Sequence, residues 1–216
     1  MLFLACSHRQ NTASALLAAM AQRYGEIPTM HFTAVSMTEE VFNDTTTGIE
    51  IQGNMDFSRP DQFKLEWQSA KATFTGSIFQ SHDDVHLIIG AQQPRQFTSL
   101  TDALESAAAV SGELSCFVPE LLVGKTNRLN FVNVTMNPDV QIDGSPCYCI
   151  AGTNAKGSYL EFAIDKKSLL IRQIDEKFVI TKKAMAKLVQ SGQPVPDIGD
   201  IKMNRTLTFK DLGTNL

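Results

Sequence analysis

The residues able to do chemistry in this chain are few, and their spacing argues against most of it. His82 and His86 stand four apart. On a helix that spacing puts two imidazoles on one face for a metal, but a His82-Asp83-Asp84 turn places them beside strands. On a strand, residues four apart share a face at about 13 Å, beyond joint coordination. Gly124-Lys125-Thr126 ends like a phosphate-binding loop, yet Pro119 stands where the first glycine is needed and no strand leads into it. Cys147 and Cys149 have no second cysteine pair and no nearby histidine, so they are not a zinc site. They share a strand face and are poorly placed to bridge each other. Either forms a disulfide with Cys116 in an oxidising compartment, or all three are buried free thiols. There is no G-x-S-x-G elbow and no H-E-x-x-H, and His31 lies inside a strand. Nothing among these residues points to a catalytic site, a cofactor or a metal.

The elements around these residues read as one mainly β domain. A chain of 216 residues buries one good core, and 43% apolar with 19% charged residues is an ordinary globular composition. No run approaches the ~18 apolar residues that span a bilayer. A net charge of -4 gives no basic footprint for nucleic acid. The charge is uneven: Asp165 to Gln190 holds seven Lys/Arg against three Asp/Glu. Within that stretch Thr181 to Ser191 reads as a helix with Lys182, Lys183 and Lys187 outward, facing either anionic lipid or solvent.

The most informative stretch is Gly48 to Gln68. Ile49, Ile51, Gly53, Met55 and Phe57 alternate with polar residues, and so do Phe63, Leu65 and Trp67 after Arg59-Pro60-Asp61-Gln62. That pattern is an antiparallel hairpin with one apolar face, broken where proline fixes φ. Asn11 to Tyr24 reads as a helix with Ala13, Leu16, Leu17, Met20, Ala21 and Tyr24 on one face, leading into a strand from Met30. Ala72 to Ser81 and Val85 to Gly90 are further strands. Ser99 to Gly112 is a second helix, with an S-x-x-D cap and Gly112 placed for a left-handed end. Cys116 to Leu122 follows around a first-turn Pro119. Strands return at Leu129 to Met136, Gln141 to Ile142, Pro146 to Gly152, Ser158 to Ile164, Leu169 to Phe178 and Ile201 to Phe209.

The run G-N-M-D-F-S-R-P-D-Q-F-K-L resembles the G-x-L-x-x-x-R-P-x-x-F stretch of LolA-type periplasmic lipoprotein carriers. G-S-P-C-Y-C-I-A-G followed by Y-L-E-F-A-I-D-K-K-S-L-L-I-R-Q-I resembles the C-Y-x-I-x-G and L-I-R-x-I pattern of a bacterial subgroup, and the likeness spans about residues 10 to 180. The resemblance implies an α+β, mainly β fold: a curved antiparallel sheet forming an incomplete β-barrel, closed by helices. It also implies a single domain over 10–216 and a hydrophobic cavity that takes acyl chains. Implied partners are lipid acyl chains or lipoproteins and a membrane-protein donor or acceptor, with the chain itself a monomer. Arg59 matches the arginine that holds the helical lid shut in the family; the alternative is a surface arginine before a turn proline. Phe3-Leu4-Ala5-Cys6 resembles a bacterial lipobox, which implies lipidation of Cys6, an upstream start and membrane anchoring. Residues 1–9 are then the remnant of a lipoprotein signal and linker, or else frayed residues before the helix. Carriers of this family run on past the last strand read here, which implies a barrel edge left incomplete.

The expected architecture is nine to eleven curved antiparallel strands, with the helices at Asn11 to Tyr24 and Ser99 to Ala109 on the concave side. The expected cavity is lined by Phe32, Met55, Phe57, Phe63, Leu65, Trp67, Leu104 and Leu122. The alternative function is a structural or sensory module that binds a protein partner on the same fold, its interior filled by its own side chains.

Overall fold

A computed structural model of the chain describes residues 2–42, 45–71, 73–155, 157–181 and 200–215, and the side chains of residues 12–214 within those ranges. Eleven strands form one antiparallel sheet that does not close into a barrel. The N-terminal half contributes β1 (Thr29–Phe42), β2 (Thr45–Ser58), β3 (Gln62–Ser69), β4 (Thr75–Ser81), β5 (Asp84–Ile89) and β6 (Arg95–Phe97). The C-terminal half contributes β7 (Phe131–Ile142), β8 (Ser145–Asn154), β9 (Tyr159–Asp165), β10 (Ile171–Ile180) and β11 (Ile201–Asn215). Each half is a meander, and β11 lies between β1 and β10, joining them; β6 and β7 are the two edges.

The strand alternation that the sequence shows is what the sheet uses. Phe57 pairs with Phe63, Met55 with Leu65 and Gly53 with Trp67, so the apolar row of the hairpin is continuous on one face. A slip of one residue would turn every one of those side chains to solvent, which fixes the register. β1 adds Met30, Phe32 and Ala34 to the same face, and β9 adds Leu160, Phe162 and Ile164.

Among the described residues, three α-helices cover that face: α1 (Leu2–Glu26), α2 (Leu100–Ala107) and α3 (Val118–Leu122). Ala13, Leu17, Met20 and Tyr24 of α1 are buried in the same core cluster as the inner strand faces, with Leu16 and Ala21 packed at its margin. The Tyr24 hydroxyl accepts a hydrogen bond from the Ile171 N–H at 3.0 Å, pinning α1 to β10. α1 packs on edge strand β7 and on α3, while α2 packs on β4, β5 and β6 and touches α3. The two sheet edges are thus bridged through helices that touch one another, which curves the sheet around its core.

Several boundaries differ from the sequence pattern. α1 starts at Leu2, nine residues before the expected start at Asn11; the Cys6 side chain lies outside the described residues. β6 is a three-residue strand in a stretch without alternation. β7 is one strand, not two, because register shifts between Asn137 and Val140 carry it past Pro138. β11 runs to Asn215 and is central in the sheet, which corrects the expectation of an incomplete edge at this strand. The basic helix expected at Thr181 to Ser191 lies outside the described residues beyond Thr181.

Candidate functional site

Arg59 sits in the turn between β2 and β3, and its own N–H donates to the Pro28 carbonyl at 2.8 Å. Its guanidinium donates through Nε to the Ile27 carbonyl at 2.9 Å and through Nη2 to the carbonyls of Tyr24 at 3.3 Å and Leu122 at 2.8 Å. The charge also lies 5.2 Å from the Phe57 ring centroid. Tyr24 lies in the last turn of α1, Ile27 directly follows the helix, and Leu122 is the last residue of α3. Helix C-termini leave carbonyls without intrahelical donors and carry the negative end of the macrodipole. One planar five-donor fork satisfies several of them at once, which a lysine could not do. Arg59 therefore ties the central hairpin to two helices.

α2, α3 and the segments around them form the cover of the sheet, here termed the lid. The Ser99 hydroxyl caps α2, accepting from the Asp102 N–H at 3.1 Å and donating to the Asp102 carboxylate at 2.8 Å. Gly112 follows with φ +61°, and the Ser36 hydroxyl of β1 donates to its carbonyl at 2.7 Å. A Cβ at Gly112 would come 2.9 Å from Ile51 Cδ1, so the lid backbone lies directly on the sheet. Leu114 reaches further in: its Cδ1 sits 2.8 Å from where a Cβ on Gly53 would be.

The eight apolar residues read from the sequence all face this interior and are all buried within one cluster. Phe32 packs edge-on against Phe209, with ring centroids 5.4 Å apart. In this state the space is filled by the lid's own side chains, Leu104, Leu114, Leu121 and Leu122 among them. Of the eight, Phe57 and Phe63 border an open cavity of about 690 Å³ at the Arg59 end of the hairpin. Trp67 lies flat across Gly76, where a Cβ would fall 2.2 Å from its Cζ2, and its Nε1 has no hydrogen-bond partner among the described residues.

The other residues singled out by type do not converge. His82 Nδ1 is 2.6 Å from Asp61, while the His86 ring stacks on Phe79 at 4.9 Å. His31 pairs with Asp56 on the solvent side of β1 and β2. Cys116, Cys147 and Cys149 are free thiols, so the disulfide alternative is not the one this structure holds. Cys116 instead accepts from Arg128 Nη2 at 2.9 Å, and its burial, the largest cause, pushes the thiol pKa well up.

Sequence reading missed a second region, a cleft of about 1060 Å³ between the lid and the strands β8 to β11. Arg128 donates through Nε to Glu120 at 2.8 Å and lies 3.1 Å from Glu113. Arg205 of β11 pairs with Glu176 of β10 at 2.8 Å, lies 3.8 Å from Glu113 and donates to the Thr38 hydroxyl at 3.2 Å. Lys125 bridges Glu105 and Glu120. Burial is the largest cause acting on Glu120 and Glu176 and raises both carboxyl pKa values, with Arg128 and Arg205 respectively opposing it. The signal was present in the strands: Glu176 shares the parity of Ile174 and Phe178, and Arg205 lies between Met203 and Leu207. A charged residue in an inward-facing row marks a polar interior.

No family model matches the chain, and no curated protein matches it. Similar solved structures include a DUF1329 family protein from Desulfovibrio piger, 13% identical over 96% of this chain and 94% of that one, with a TM-score of 0.39. A LolA superfamily protein, NE2245 from Nitrosomonas europaea, is 8% identical over 94% of each chain, with a TM-score of 0.35. LprF from Mycobacterium bovis is 9% identical over 95% of each chain, with a TM-score of 0.36. At these values the likeness carries no function across.

Proposed function

We propose that this chain binds acyl chains, of a free lipid or of a lipoprotein anchor, between the inner face of its sheet and its lid, without catalysis. The observation that carries the reading is the Arg59 guanidinium, shared between the central hairpin and the C-terminal ends of α1 and α3. Beneath that tie lies an interior of side chains that an acyl chain can replace. An acyl chain taking the place of Leu114 and Leu122 roughly conserves apolar burial, which is worth about 25 cal/mol per Å². Opening is then governed by the polar ties. Hydrogen bonds to a charged group net about 1.5–3 kcal/mol each, strong enough to keep the empty protein shut and weak enough to break on loading. The R-P-x-x-F and C-Y-x-I-x-G resemblance supports a place in the bacterial envelope, periplasmic or anchored through Cys6. No helix among the described residues is long and apolar enough to cross a membrane.

The filled interior also supports the second reading, a module that keeps its core for itself and binds a protein partner. Two measurements separate them. Native mass spectrometry with lipid extraction of protein purified from a bacterial periplasm should find bound lipid, and a fluorescent fatty acid should bind saturably. Absence of both would leave the partner-binding module standing and the carrier reading without support.

A further inference from the structure

The cleft beside the lid holds a carboxylate placed as a ligand would be. Glu113 lies between two guanidiniums that come from different parts of the fold, 3.1 Å from Arg128 on the lid side and 3.8 Å from Arg205 on the sheet. It reaches that position from a strained backbone, φ +66°, a region that residues with a Cβ rarely occupy. Both arginines are partly shielded from water and lie against aromatic rings, Arg128 over Phe117 at 5.3 Å and Arg205 over Phe178 at 5.4 Å. Shielded guanidiniums bind carboxylate and phosphate groups far better than exposed ones, and their planar forks match those groups.

The charge balance points the same way. Among the described residues, five basic side chains line the cleft against four carboxylates. If the lid segment carrying Glu113 swings away, the excess of positive charge rises and the two arginines lose a shared partner. The cleft also borders the apolar interior: Phe117 lines it and packs edge-on against the buried Phe162, with centroids 5.8 Å apart.

We propose that Arg128 and Arg205 form the head-group site for an anionic amphiphile, with Glu113 occupying the anion position in the closed protein. The head group, phosphate or carboxylate, replaces the Glu113 carboxylate while the chain enters the interior beside Phe117. This rests on the acyl-binding reading above and adds to it the class of ligand: anionic amphiphiles over neutral ones. Glu113 is then a built-in competitor, and removing its charge strengthens binding instead of weakening it.

Calorimetry with dodecyl phosphate, dodecanol and inorganic phosphate tests this on the whole chain. Dodecyl phosphate is expected to bind at least tenfold more tightly than dodecanol. Arg205→Gln should cost about thirtyfold for dodecyl phosphate, as loss of one partner of a shielded charge pair does, and move dodecanol far less. Glu113→Gln should tighten dodecyl phosphate several-fold and by more than it tightens dodecanol. This opposite sign keeps the test intact if Arg205→Gln fails to fold. Equal affinity for dodecyl phosphate and dodecanol, unmoved by either variant, would overturn the head-group site and leave the acyl-binding reading standing. Inorganic phosphate binding as tightly as dodecyl phosphate would overturn the assignment to an amphiphile. Binding of neither dodecyl compound would overturn this proposal together with the reading it rests on.

Discussion

The lid is held to the sheet at two places built from opposite chemistry. At the hairpin end Arg59 donates to neutral backbone carbonyls, with Phe57 beneath it and apolar core on one side. At the cleft end Arg128 and Arg205 face carboxylates, two of which have raised pKa values through burial. A guanidinium bonded to carbonyls makes a tie whose acceptors do not titrate, since a carbonyl has no proton to lose. A guanidinium bonded to half-buried carboxylates makes a tie whose strength depends on proton and salt. The difference teaches that two ties can hold one lid while only one of them answers to proton, salt and a charged ligand.

The largest effect should come from breaking the charged end. Arg205→Met leaves Glu176 shielded and close to Glu113 without its cation, and removal of one partner from such a pair costs about 3 kcal/mol. Urea unfolding should show the loss. The hairpin end should be softer. Arg59→Leu removes its guanidinium hydrogen bonds yet leaves an apolar side chain over Phe57, so about 2 kcal/mol is expected. The loss should appear as faster amide exchange in α3 and at the end of α1, with β8 to β10 unchanged. A smaller effect is expected at the start of α2. Ser99→Ala removes the cap of α2 and should cost about 1 kcal/mol, as N-cap substitutions do.

The smallest effect sharpens the comparison most. Glu120 and Glu176 hold their protons more tightly folded than unfolded, where the ordinary value is 4.5. Stability from these groups is therefore fully present below 4.5 and is lost as pH rises through their raised folded values. Unfolding free energies measured across that window should rise on acidification. Glu120→Gln should flatten part of the slope, whereas Arg59→Leu should leave the slope as it is.

The hairpin end was largely legible in the sequence and the cleft end was not. Period-two alternation at Ile51, Met55, Phe57, Phe63, Leu65 and Trp67 fixes both strands and their inner face, and the i, i+3, i+4 stripe of Ala13, Leu17, Met20 and Tyr24 fixes α1. The arginine's position beside a turn proline was visible, but its three carbonyl partners lie 32, 35 and 63 residues away, distances no local pattern reaches. At the cleft, Glu113 and Arg128 sit in irregular segments with no period to read. Glu176 and Arg205 interrupt otherwise apolar rows, the one local sign that the interior turns polar there. The packing of Leu114 into the sheet depends on Gly53 and on the turn at Gly112, and so follows from tertiary contact alone.

The central claim is that acyl chains enter the space the lid now fills, and the single tryptophan of the chain reports on that space. Trp67 is buried on the inner face of β3, in one core cluster with Leu104, Leu114 and Leu122. Titration with a brominated fatty acid, read by Trp67 emission, places a quencher directly against the ring if the chain enters. The account predicts saturable quenching, half-complete at lower concentration in Arg59→Leu than in the natural sequence. Bound brominated fatty acid that leaves Trp67 emission unchanged in both proteins would contradict it.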